Sequence, residues 1–355
     1  MGARLWGHWY RFAQVCKPRE MQRPALCGCV EGASHRPSTR SAVVNPCDLG
    51  PTIRRTNRAS TTKIQCSATM GTQGLPTILI HGIMEVLQQD PPTWTSSVAS
   101  NALFLVVGFP ALRVGLTIPA MASAFFLGTV TWRAFGAQAF LLLVVYFILG
   151  TGVTKVKIKQ KEKEGIAEKR SGKRGPSSVW GSGAAGIACA IAAIIGLGGS
   201  DFSYLWQLGF AASFATKLSD TVSSEIGKAY GTTTYLVTTL EVVPRGTEGA
   251  VSLEGTLAGL SASLLFCALA YNLSQVTARD ALICIIGSQV ANLIESYAGA
   301  TLQDKKGFEW LNNDVVNVLN ISFGAALAIA ASYSILLRAS FTRNSAKASV
   351  TWWIY

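Results

Sequence analysis

The segment AFGAQAFLLLVVYFILGTGVT (residues 134–154), followed at once by KVKIKQKEKEGIAEKRSGKRGP (residues 155–176), decides the fold class. A helix crosses a hydrocarbon layer with about 20 predominantly apolar residues, and the first segment has that length without one charged side chain. The second carries nine Lys/Arg against Glu162, Glu164 and Glu168, which marks a topogenic loop on the cytoplasm-like side of a membrane. Working outward, comparable apolar runs occupy 98–112, 114–131, 179–198, 203–216, 250–272, 281–300 and 317–337. The first two of these share Pro110, Arg113 and Pro119, and 203–216 is short, so the expectation is six to eight transmembrane helices. The predicted fold class is therefore all-α, a polytopic membrane helix bundle spanning residues 97–338. Residues 67–96 read as a linker and 339–355 as a C-terminal tail.

Of 355 residues, 49% are apolar and only 14% charged, with 34 glycines, as a membrane protein requires. The formal net charge of +12 is uneven. Residues 1–66 hold eleven Lys/Arg against Glu20, Glu31 and Asp48. A basic, hydroxyl-containing, acid-poor leader without a signal-type apolar run resembles an organelle transit peptide, plastid first and mitochondrial second. The alternative is a retained basic tail that binds anionic lipid or nucleic acid. In a plastid the basic loop would face the stroma, on an inner-envelope or thylakoid membrane. Cys189, Cys267 and Cys284 each sit alone in an apolar run and read as small buried hydrophobes. No aromatic-rich basic patch is present, so nucleic acid is not an expected partner of the membrane region. His8, His35 and His81 all precede that region, which argues against histidine catalysis.

Ionisable residues at the edge of a hydrocarbon layer mark functional-site candidates, and they crowd between Lys217 and Gly259. If the helix at 203–216 continues to Tyr230, then Lys217, Asp220, Thr221, Ser224, Glu225 and Lys228 share one stripe at spacings of three and four. Oxygen ligands of this kind suit Mg²⁺, which takes one or two carboxylates and leaves other positions to water and phosphate. Asp220 and Glu225 are the predicted metal ligands, and with Glu248 and Glu254 the predicted catalytic acids. The segment Pro244-Arg245-Gly246-Thr247-Glu248-Gly249 reads as a loop opening onto a helix, where backbone N–H groups and Arg245 would hold an anion. Lys217, Ser224, Lys228, Arg245, Gly246, Thr247 and Gly249 are the predicted phosphate-binding residues. A supporting cluster follows in Asn292, Glu295, Asn313, Asp314 and Asn317. The plain alternative for the first stripe is a salt-bridged helix end, and for Asn317 and Asn320 a set of interhelical hydrogen bonds. Small-residue stretches at 183–186, 255–259 and 324–328 read as surfaces where helices approach closely.

The stretches KLSDTVSSEIG (217–227), VPRGTEGAVSLEGTLAG (243–259) and NNDVVN (312–317) resemble the integral-membrane family of plant chloroplast phytyl-phosphate kinases, of the tocopherol pathway. The likeness covers about residues 97–338. A shorter likeness, of an acid, a glycine turn and a Thr/Ser-Glu-Gly segment, extends to dolichol and phytol kinases and to CTP-using cytidylyltransferases. The resemblance implies a phosphotransferase of a chloroplast membrane that uses a nucleoside triphosphate, CTP foremost, with Mg²⁺. It would convert the prenyl-phosphate lipid phytyl phosphate to phytyl diphosphate for tocopherol and phylloquinone synthesis. Competing readings are a membrane transporter, a non-catalytic photosynthetic-membrane assembly factor, and a kinase or cytidylyltransferase for another lipid.

Overall fold

The computed structural model describes residues 90–303 and 305–351. The basic leader and the linker up to residue 89 lie outside the described residues. Among the described residues there are eight α-helices: α1 (Trp94–Gly115), α2 (Ile118–Lys155), α3 (Ile158–Lys163), α4 (Pro176–Ile194), α5 (Ser200–Tyr230), α6 (Leu253–Asn272), α7 (Ala278–Thr301) and α8 (Asn313–Thr351). The backbone of α8 runs through most of the segment expected to be a separate tail. A two-stranded hairpin, β1 (Thr234–Leu236) and β2 (Ala250–Ser252), pairs antiparallel with Thr234 opposite Ser252. The chain is a polytopic, all-α membrane bundle.

Six of these helices are long and apolar enough to cross a membrane. Two further points raise the number of crossings. Gly136 interrupts α2 with φ 78° and ψ −172°, a conformation that glycine adopts without a side-chain clash. The rings of Trp132 and Phe140 then lie 4.9 Å apart, although eight residues of straight helix would separate them by about 12 Å. Hence α2 is a hairpin of two antiparallel arms, 118–135 and 137–155. The second point is α5, whose C-terminal half holds Lys217, Asp220, Glu225 and Lys228 and so fails any test of apolarity. It nevertheless runs through the centre of the bundle. Leu205, Leu208, Phe210, Phe214 and Leu218 are each at most 1% exposed. The described chain therefore makes eight crossings, at the upper end of the expected range.

Local signals set the ends of these helices. Thr93 caps α1, accepting from the Ser96 backbone at 3.2 Å, while its own N–H donates to Ser96 Oγ at 2.9 Å. Thr277 Oγ1 does the same for α7 at 3.2 Å, and Ser252 Oγ for α6 at 3.1 Å. Between helices, lipid offers no hydrophobic drive for association, so close van der Waals fit replaces it. A Cβ on Gly259 would meet the Ser219 carbonyl at 2.8 Å, and one on Gly324 would meet Thr216 Oγ1 at 2.3 Å. Both glycines thus let α6 and α8 lie directly on α5.

Following the crossings from the basic loop, the 155–175 loop, the 231–252 hairpin loop and the 302–312 loop all emerge on one face of the bundle. The opposite face is closed by a separate network, where Asp280 Oδ2 accepts from Tyr204 Oη at 2.7 Å and from Thr277 Oγ1 at 2.6 Å.

Candidate functional site

The three loops on the basic face surround a cavity of about 780 Å³. Its floor is the end of α5, which is helical without a break to Tyr230, so the predicted stripe exists. Lys217 is 6% exposed and donates to Asp220 Oδ2 at 2.5 Å and to Asn317 Oδ1 from α8. Glu295, from α7, accepts from the Asn320 amide and sits within electrostatic reach of Asp220, Lys217 and Glu248. The Asn292 amide lies 3.0 Å from Ser219 Oγ. Carboxylates from α5 and α7 therefore converge on one lysine, held by asparagines from α7 and α8.

The second wall is the segment before β2. Gly246 (φ 85°) and Gly249 (φ 73°) take left-handed conformations. A Cβ on Gly249 would lie 2.5 Å from the Ser296 carbonyl, so this loop is pressed onto α7. Arg245 through Gly249 all line the cavity. Arg245 Nη2 contacts both oxygens of Glu164 at 3.0 and 3.1 Å, and Lys228 Nζ stands 3.7 Å from Glu168. Ser224, Asn313 and Asp314 complete this rim.

Several placements differ from the sequence reading. Glu225 is 2% exposed and forms an ion pair with the fully buried Lys161, which also donates to the Thr154 carbonyl at 2.9 Å. A carboxylate engaged in this way has its charge already balanced, because a buried ion needs a partner to offset its desolvation. Glu254 lies outside the cavity and accepts from Thr232 N and Oγ1 at 3.1 and 2.6 Å, which ties α6 to the end of α5. The Pro244–Gly249 loop opens onto β2 rather than directly onto a helix, and the first turn of α6 is capped by Ser252. Among the described residues no group of three or more His, Cys, Asp or Glu forms a metal cluster.

The sequence reading missed the basic loop and the start of α4. Ile166, Glu168, Arg170, Lys173, Arg174 and Ser178 all line the cavity, where a purely topogenic loop would be solvated. The signal was present in the span count, which puts this loop and Lys217 on one side of the membrane.

A second, apolar cavity of about 230 Å³ lies between α1, the α2 hairpin and α4. Phe104, Gly108, Ala111, Met121, Phe125 and Phe147 line it, and Arg174 and Ser182 line both cavities.

The family model for an integral membrane protein family, DUF92, matches residues 101–325, nearly the whole described bundle and both cavities. This chain belongs to the DUF92 family. Among its curated relatives, Protein VTE6, chloroplastic, from Arabidopsis thaliana is 58% identical over 246 residues, 69% of this chain and 74% of that protein. An uncharacterized membrane protein of Synechocystis is 45% identical over 236 residues, covering 66% of this chain and 90% of its own length. A third, from Methanocaldococcus jannaschii, is 34% identical over 195 residues, 55% of this chain and 76% of its own. No solved structure matches.

Proposed function

We propose that this DUF92 protein transfers the γ-phosphoryl group of a nucleoside triphosphate, CTP foremost, to phytyl phosphate in a chloroplast membrane, feeding tocopherol and phylloquinone synthesis. The observation that carries this reading is the juxtaposition, in one cavity at the membrane face, of Asp220 and Glu295 with Lys217, Arg245 and the glycine turns at Gly246 and Gly249. The kinship to Protein VTE6, chloroplastic, supports the compartment. Phosphoryl transfer makes few covalent demands on a protein. It needs positioning and charge stabilisation. A terminal oxygen of the lipid monophosphate attacks the γ-phosphorus, the bond from that phosphorus to the β–γ bridging oxygen breaks, and lipid diphosphate and nucleoside diphosphate leave.

The donor set fits Mg²⁺, since two carboxylates converge and Lys217 balances only one of them. Asp220 and Glu295 would hold the ion, which when bound supplies neutralisation of the phosphate oxygens. Glu225 is left out of this set because Lys161 already neutralises it. Lys217 orients Asp220 and contributes positive charge at the cavity floor. Lys228 and Arg245, held at the rim by Glu168 and Glu164, place cations where the nucleotide phosphates would enter. The Gly246 and Gly249 turns let phosphate approach the backbone closely. A transporter would need a polar path to the opposite face, and there α5 buries Leu205, Leu208, Phe210 and Phe214 instead.

The test is direct. The purified protein is supplied with phytyl phosphate or phytol, each nucleoside triphosphate and Mg²⁺, and lipid products are followed by mass spectrometry. Phytyl diphosphate from phytyl phosphate and CTP supports the reading. No product from either lipid in folded protein overturns it.

A further inference from the structure

We propose that the apolar cavity between α1 and the α2 hairpin is the binding groove for the isoprenoid tail of a prenyl monophosphate, with Arg174 holding the phosphate where this groove meets the polar cavity. The nature of the reaction at that head group rests on the phosphotransferase reading. The groove itself is argued from geometry. Its walls are apolar and open toward the membrane between α1 and α2, with Phe104 47% exposed at its edge. Its inner end is different. Arg174 and Ser182 line the groove and the polar cavity alike, so the two spaces meet at a guanidinium.

Three features show that this guanidinium is built in and left available. Arg174 Nη1 donates to Tyr146 Oη at 2.7 Å, and Tyr146 is 4% exposed, which fixes the position of the head group. A Cβ on Gly150 would stand 2.8 Å from Arg174 Nη2, so the helix provides room at that residue. Arg174 forms no ion pair among the described residues, whereas Lys161, Lys217, Lys228 and Arg245 each have one. Next to it, α4 starts at Pro176 after Gly175, with no side chain capping the N–H groups of its first turn, and Ser177 and Ser178 face the polar cavity. A planar guanidinium beside an uncapped helix start favours a phosphate dianion. An apolar groove running from that point toward lipid favours a long hydrocarbon on the same molecule. Amphiphiles with a phosphate head and a prenyl tail satisfy both.

Gly108 offers a clean test, because a Cβ there meets only Leu112 Cδ1, at 3.9 Å, and a larger side chain would grow into the groove without striking the backbone. Leucine also suits a helix interior better than glycine does. In the full chain reconstituted in nanodiscs, Gly108→Leu and Ala111→Phe are compared with wild type on prenyl monophosphates of ten and twenty carbons. Each methylene kept from apolar contact weakens binding by about a factor of four, so displacing two lowers the twenty- to ten-carbon selectivity, read as a ratio of kcat/KM, by roughly fifteen-fold. An unchanged ratio in both variants overturns the groove. Binding is also read without turnover, by photocrosslinking a diazirine-tailed twenty-carbon monophosphate and mapping the labelled peptides. Label in α1 and the α2 hairpin, lost in Gly108→Leu and reduced about tenfold in Arg174→Gln, is the expected result. Label elsewhere overturns the groove even if phosphoryl transfer is observed. Label in the groove without turnover on any nucleotide keeps the groove and sinks the phosphotransferase reading.

Discussion

Replacing Lys161 by Met should destabilise this protein by about 3–5 kcal/mol, the cost of leaving a buried carboxylate without its partner. The size follows from the structure. Lys161 is wholly buried, Glu225 is 2% exposed, and the lysine also satisfies the Thr154 carbonyl at 2.9 Å. The pair therefore connects the basic loop to α5 beneath the cavity. Glu225→Gln should cost nearly as much, because it strands the ammonium. The double variant Lys161→Met/Glu225→Gln, which removes both charges and keeps the volume, should recover much of the loss. Equilibrium unfolding of the four proteins in mixed micelles measures the coupling as a double-mutant cycle. A coupling below about 0.5 kcal/mol would refute the pairing. So would a Glu225→Gln protein of wild-type stability whose Mg²⁺ requirement is shifted, since that result would return Glu225 to the metal set.

Asp220→Asn and Glu295→Gln should each lower turnover by about 10²–10³-fold, the usual cost of losing one charge-stabilising group, with wild-type unfolding behaviour as the control. Lys217→Met should lose activity and also shift the Mg²⁺ titration, because it removes the cation that competes for Asp220 at 2.5 Å; an unchanged titration would show that the metal does not sit there. Gly259→Val should destabilise by about 1–3 kcal/mol, since its Cβ would stand 2.8 Å from the Ser219 carbonyl, and a variant as stable as wild type would mean that α6 can move off α5 freely. Glu164→Gln, by contrast, should change stability by less than about 1 kcal/mol, because the Arg245–Glu164 pair is 31% and 33% exposed, and a larger change would mark it as structural.

An all-α membrane bundle was legible in the sequence, as was the gathering of Lys217, Asp220 and the Arg245–Gly249 loop on the face that carries the basic loop. Each of those readings depends on local quantities: the length of an apolar run, the charge of the next loop, the three-and-four spacing of a stripe. Pairing between distant segments has no such local signature. Glu225 and Glu254 were indistinguishable from Asp220 on chemical type alone, and only tertiary structure gave them partners, in Lys161 and Thr232. The two arms of α2 were legible as the separate runs 114–131 and 134–154, but the turn itself was not, because Gly136 lies inside the second run, where a glycine reads equally as helix. The short β1–β2 pair escaped notice because three-residue strands are too brief for periodicity to register. Arg174 shows the same limit most clearly. In the sequence it is one of nine cations in a basic loop, and only the packing of α1, α2 and α4 places it where an apolar groove meets a polar cavity.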